Sequence, residues 1–199
     1  MSDRFTPLDD AALNRLFREA RTYSHWLPRP VDPALLRRLA ELMRFGPTSA
    51  NASPARIVFV VSRETKEKLR PYLSEGNVRQ TMEAPVTTII GQDLRFYEKL
   101  GYLYPHQPEA RSWFEGKPDA IQATAFRNAS LQAGYLILAA RALGLDCGPM
   151  SGFDKAGVEA AFLSEGVEAN MLCNLGYGDP ARLHPRSPRL AFDEFCSIV

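Results

Sequence analysis

The chain has 199 residues, 45% hydrophobic and 24% charged, with a formal net charge of +1. That length suits one domain with a sizeable core, and so balanced a charge gives no footprint for nucleic acid or an anionic membrane. No apolar run approaches a bilayer span, Met1-Ser2-Asp3-Arg4-Phe5 lacks a secretion-signal core, and Cys147, Cys173 and Cys196 are scattered singly, which points to a reduced cytoplasmic protein without a metal site.

Thr6-Pro7 ahead of Asp9-Asp10 reads as a helix start, with a capping hydroxyl, an early proline and acids in the first turn. Leu13, Leu16, Phe17 and Ala20 share a face of that helix, which is expected to run into residues 21–26 and stop at Pro28 and Pro30. Asp32-Pro33 starts a second helix, with Leu35, Leu39, Leu42 and Met43 inward and Gly46 as a left-handed cap. Residues 57–61, Ile-Val-Phe-Val-Val, show no polar alternation and predict a strand in the middle of a sheet. Ser62 caps a charged helix over 63–73, which Ser74-Glu75-Gly76-Asn77 breaks. A short helix over 78–83 then leads through Pro85 into a second buried strand, 86–90. A helical piece over 93–99 and an aromatic loop over 102–114 follow. The longest periodic element covers 119–143, roughly 37 Å at 1.5 Å per residue, with Gly144 as its cap. Its ridge of Ala125, Ala129 and Ala133 suits a central helix or a subunit seam equally. A short strand and tight loop containing Gly148 and Gly152 come next, then Asp154 capping a helix over 155–162 and a strand over 171–176. The tail carries Arg182, Arg186 and Arg189 with Leu190, Phe192 and Phe195, a set of anchors expected to pack on something.

Familiar catalytic signatures are missing. There is no Gly-x-Ser-x-Gly elbow, no Gly-x-Gly-x-x-Gly or phosphate-binding P-loop and no His-x-x-x-His, while His25, His106 and His184 each sit beside proline or an aromatic. No catalytic acid or base stands out. What remains is a set of separated polar loops: Arg21-Thr22-Tyr23, Thr48-Ser49-Ala50-Asn51, residues 77–80, Pro149-Met150-Ser151-Gly152, and Arg186 with Arg189. Arginines suit a phosphate dianion through charge-assisted bidentate bonds, and short side chains suit the polar edge of a heterocycle. Such loops, without acids, bases or metals, are expected where a cofactor performs the chemistry.

At these residues the chain resembles the nitroreductase family of flavin mononucleotide (FMN) enzymes, and within it is similar to the malonic semialdehyde reductases of pyrimidine degradation. The stretches that carry the likeness are residues 46–59, Thr124-Ala125-Phe126-Arg127-Asn128, residues 144–154, and Asn174-Leu175-Gly176-Tyr177-Gly178-Asp179. The resemblance implies an α+β fold with a mixed central sheet flanked by helices. It also implies a domain-crossed homodimer with the long helix at the interface, formed by a single domain over 1–199 whose 180–199 extension packs on the partner. Carried over position by position, Arg21, Thr22 and Tyr23 meet the phosphate and ribityl chain, completed by Arg186 and Arg189. Thr48, Ser49 and Asn51 line the flavin from across the interface, Asn77 faces the pyrimidine, and Pro149, Met150, Ser151 and Gly152 the N5 side. Where many members place a lysine near the N1–O2 edge, this chain has Gln80 with Arg79 beside it. The implied activity is ping-pong hydride transfer from NADPH or NADH to a small aldehyde, malonic semialdehyde, giving 3-hydroxypropionate. Arg111 is the candidate for the substrate carboxylate. A broad nitro- or quinone reductase and a flavin-binding protein without turnover are the alternatives.

Overall fold

In the computed structural model, which describes residues 5–199, the first helix is started by Asp9 rather than by Thr6. The Asp9 carboxylate accepts the Ala12 N–H at 2.7 Å and opens α1 (Asp10–Leu13), which widens at once into a π-turn over Asn14–Arg18. No residue of either piece is buried, and Phe17 is 56% exposed, so the expected inward face is not part of the core. The helix ends before Arg21 and leaves the 21–26 segment non-helical. The sequence reading of Met1, Ser2, Asp3 and Arg4 lies outside the described residues.

Asp32 caps α2 (Pro33–Met43) by accepting the Ala34 N–H at 2.8 Å. This helix buries Leu36, Leu39 and Met43 and exposes Leu42, so its core stripe is rotated from the expected one. Gly46 does not adopt a left-handed conformation. It is needed because a Cβ there would overlap the Tyr135 ring.

Four strands, β1 (Ala55–Val60), β2 (Val86–Asp93), β3 (Asp146–Met150) and β4 (Val167–Gly176), form one sheet in the order β1-β2-β4-β3. All three ladders are antiparallel, and the mixed character reduces, among the described residues, to a parallel bridge between Thr22 and Cys147 on the free edge of β3. β2 is the fully buried centre. β1 is an edge strand and not a middle one. Its composition is apolar because both faces are covered: Ile57 and Phe59 pack with Leu39 and Leu136 on one side, Val58 and Val60 with Leu69 and Val158 on the other. Burial of faces sets a strand's composition, whatever its place in the sheet.

The remaining helices are α3 (Arg63–Leu69), α4 (Glu75–Glu83), α5 (Leu100–Leu103), α6 (Pro118–Ala142), α7 (Lys155–Phe162) and the exposed α8 (Phe192–Phe195). Ser74, which the sequence reads as a breaker, is instead the N-cap of α4 and puts Asn77 inside it. The 94–117 segment folds over Phe96, Leu100 and Phe114, a third apolar cluster that also takes in Ala52 and Ala125. Ala125, Ala129, Ala133 and Leu136 turn one side of α6 into the core. On its other side Phe126, Leu131, Gly134 and Leu138 line an open apolar groove of about 810 Å³.

Candidate functional site

Residues 21–23 lie along the free edge of β3, where the Tyr23 N–H donates to the Cys147 carbonyl at 3.0 Å, and Trp26 bridges to Gly178. Gly148 allows that approach, since a Cβ would overlap the Tyr23 carbonyl oxygen. The tail then closes over the same segment. Arg21 Nη2 donates to the His184 carbonyl at 2.5 Å, and Arg186 Nη2 donates to the Ala20 carbonyl at 2.9 Å. Between them is a polar cavity of about 290 Å³ lined by Arg21, Thr22, Arg141, Arg182, Arg186 and Arg189. Tyr23 is not on its wall. The Tyr23 ring packs against Trp26, at 6.4 Å between centroids, and over Gly178, and burial, followed by Asp146, pushes its pKa up.

Arg141 is the residue that sequence reasoning missed. Its Nη1 donates to the Leu16 carbonyl at 2.8 Å, while its Nε is buried without a partner among the described residues. A basic residue in the last turn of a long helix is ordinarily read as complementing the helix dipole, which conceals this position in the sequence.

At the other end of β3 the structure gathers a second set. Asn77 and Gln80 sit three residues apart on α4 and therefore on one side of it. Gln80 Nε2 donates to Asn77 Oδ1 at 2.6 Å, and Asn77 Nδ2 donates to the Gly152 carbonyl at 2.7 Å. The Ser74 N–H reaches the same carbonyl at 3.1 Å. A Cβ on Gly152 would stand 2.7 Å from Asn77 Nδ2, so the glycine is what lets this chain of amides close. Met150 is tied in by the Thr81 hydroxyl at 3.7 Å, and Pro149 and Ser151 are exposed beside it. Arg79 is turned elsewhere. Its Nη1 contacts the Ser24 carbonyl, Glu83 and, at 2.8 Å, Nδ1 of His25, whose pKa is lowered by desolvation and then by Arg79. Beneath α4 the enclosed Lys66 ammonium donates to the Thr81 and Ala84 carbonyls at the helix's C-terminal end.

The 46–54 loop is a third set, held elsewhere. Ala50, Asn51 and Ser53 have φ values of 50°, 50° and 43°, each costing on the order of 1–3 kcal/mol for a non-glycine residue. Ser53 N–H donates to Thr48 Oγ1 at 3.1 Å and Asn51 Nδ2 donates to the Leu103 carbonyl at 2.8 Å. Among the described residues, no hydrogen bond joins Thr48, Ser49 or Asn51 to the arginine cavity or to the amide chain.

Arg111 lies in the exposed turn after α5, where its Nη2 donates to Glu115 Oε1 at 2.6 Å, and that bond raises its pKa. No cluster of three or more histidine, cysteine or acidic side chains able to hold a metal occurs among the described residues. No helix among them is long and apolar enough to cross a membrane.

Comparison with known proteins gives the family and the fold. The model described as "Nitroreductase family" matches residues 17–178. A Burkholderia lata protein with the provisional name NADH dehydrogenase/NAD(P)H nitroreductase is 61% identical over 194 residues, 97% of this chain and 99% of its own. The crystal structure of a provisionally named nitroreductase from Bacillus subtilis superposes with a TM-score of 0.86 at 25% identity, covering 96% of this chain and 100% of that one. A second, from Exiguobacterium sibiricum and in complex with FMN, superposes at 0.85 with 20% identity, covering 98% and 99%.

Proposed function

The chain belongs to the nitroreductase family, and from that premise we propose that it is an FMN-dependent NAD(P)H oxidoreductase of the cytoplasm, working as a homodimer, whose acceptor is malonic semialdehyde. The observation that carries the cofactor is the polar cavity walled by Arg21, Arg141, Arg182, Arg186 and Arg189. Five guanidinium groups around one cavity suit a phosphate dianion through charge-assisted bonds, and the buried Arg141 Nε keeps an N–H without an acceptor, which is costly, so the residues fit the group. Arg21, Arg186 and Arg189 add charge-assisted donors there, with Thr22 beside them. Asn77 and Gln80 present an amide edge toward the pyrimidine, because the second N–H of Gln80 is left over from its bond to Asn77. Pro149, Met150 and Ser151, which lead into Gly152, would meet the opposite edge of the ring.

FMN, when bound, supplies the hydride-carrying centre between NAD(P)H and the acceptor. The protein's part is to bind, orient and exclude water. Thr48, Ser49 and Asn51 are not among the residues lining the arginine cavity of their own chain, and that separation supports their donation to the flavin site across a subunit interface. The apolar groove on α6 and the exposed Leu190, Phe192, Phe195 and Ile198 of the 180–199 extension supply the surfaces for that interface.

One observation favours a second reading, a broad nitro- or quinone reductase: Arg111 is already neutralised by Glu115 and brings no free cation to a carboxylate substrate. Turnover of malonic semialdehyde and of a nitroaromatic, measured side by side with NADPH and NADH, decides, and a clear preference for the nitroaromatic removes the aldehyde reading. For the cofactor, the purified protein is expected to carry one FMN per subunit, and Arg21→Ala to lose it with the fold intact. Unchanged FMN affinity in that variant would refute the clamp.

A further inference from the structure

The 46–54 loop holds three non-glycine residues in the left-handed region, and an isolated loop would relax out of that conformation. One side of α6 opposes the relaxation. Asn128, Gln132 and Tyr135 are spaced by four and three residues and so rise along a single helical face. Asn128 Oδ1 accepts the Ser49 N–H at 2.8 Å, Gln132 Oε1 accepts the Ala55 N–H at 2.8 Å, and the Tyr135 hydroxyl donates to the Pro47 carbonyl at 2.9 Å. The two amides are almost wholly enclosed, at 1% and 5% exposure. Asn128 has its orientation fixed by a second bond, from Nδ2 to the Thr124 carbonyl at 2.9 Å. From the strand end, Arg56 Nη1 binds the Ser53 carbonyl at 3.1 Å and the Ala55 carbonyl at 2.8 Å, and Arg56 is itself paired with Asp93.

We infer that Asn128, Gln132 and Tyr135 are positioning residues that hold the 46–54 loop in its left-handed form and thereby set the affinity for flavin. They touch no ligand. They act by consuming the backbone groups of Pro47, Ser49 and Ala55, which spares the Ser49 hydroxyl and Asn51 Oδ1, both on exposed residues, from that task. The inference rests on the reading of this loop as flavin-facing.

The test measures two quantities on the full-length protein. One is the Kd of the apoprotein for FMN, from quenching of flavin fluorescence. The other is amide hydrogen exchange at Ser49 and Ala55, which needs no flavin. Asn128→Leu removes the acceptor and strands a buried N–H, so the Kd is expected to rise about tenfold or more, with faster exchange at both amides. Asn128→Asp keeps an acceptor and is expected to recover part of both. Tyr135→Phe loses a bond at the surface, cannot threaten folding in the same way, and is expected to raise Kd by roughly threefold. Thr48→Val and Asn51→Ala test the underlying reading, with exchange at Ser49 and Ala55 showing whether loss of the Ser53 and Leu103 bonds has also loosened the loop. If these two leave Kd unchanged, the loop is not flavin-facing and the inference falls with that reading. If they weaken binding while Asn128→Leu and Tyr135→Phe alter neither Kd nor exchange, the positioning role alone is overturned.

Discussion

Lys66 gives the most quantitative prediction. Its side chain is enclosed, at 3% exposure, with its ammonium on the carbonyls of Thr81 and Ala84. Burial, followed by the charge of Arg63, pushes its pKa from 10.5 down to about 8. The unfolded chain keeps this proton to the ordinary lysine value, whereas the folded chain releases it near 8. Between those limits the unfolded state binds more protons, so stability rises with pH, and below about 8 the cost of the buried charge is present in full. At about 1.4 kcal/mol per unit the ceiling is on the order of 3 kcal/mol. The two carbonyl acceptors at the negative end of α4 favour the charged form and reduce this to about 1–2 kcal/mol. Cys147 is pushed up by the neighbouring Cys173 thiol and by burial, and Tyr23 by burial, so both tilt the curve the opposite way. Lys66→Met is therefore compared with the parent protein, and the shared contributions cancel. Urea unfolding followed by circular dichroism at pH 7, 8, 9 and 10 is expected to show the parent gaining about 1–2 kcal/mol on the variant as pH rises. A difference independent of pH, or one that moves against the parent, refutes the reasoning.

Gly148→Ala drives a Cβ into the Tyr23 backbone carbonyl, which has no rotamer with which to escape, and is expected to cost about 1–3 kcal/mol in the same urea assay. Gly152→Ala displaces the side-chain amide of Asn77 and crowds Ser74, whose Oγ and Cβ would stand 3.1 and 3.3 Å from the new Cβ, so its unfolding free energy is expected to fall by no more than about 1 kcal/mol. Its affinity for FMN, measured by fluorescence quenching, is expected to drop several-fold. Phe126→Lys places a charge in the apolar groove of α6 and is expected to yield a monomer in sedimentation velocity, while a dimer of unchanged affinity would remove α6 from the interface.

Local chemistry carried much of the architecture into the sequence. Asp32-Pro33 and Ser62 start helices where the caps are found, the apolar runs in β1 and β2 are strands, and the alanine ridge of α6 is buried. Capping, periodicity and turn propensity act over a few residues, so a linear reading can see them. The errors lie where a distant partner decides. Gly46 looks like a left-handed cap but makes room for Tyr135, 89 positions away by number. β1 looks central but is an edge strand covered on both faces, and Ser74 looks like a breaker but starts α4. The polar loops were legible as candidates because their residue types suit phosphate and amide recognition. Their grouping was not. Arg141 joins Arg21 and Arg186, Asn77 joins Gln80 and Gly152, and the 46–54 loop is set apart on α6, because chain crossings over the edge of β3 bring those side chains together. Short-range preferences determine which elements form. Which donors and acceptors share a cavity is decided only when the sheet and α6 close over residues that are far apart in the chain.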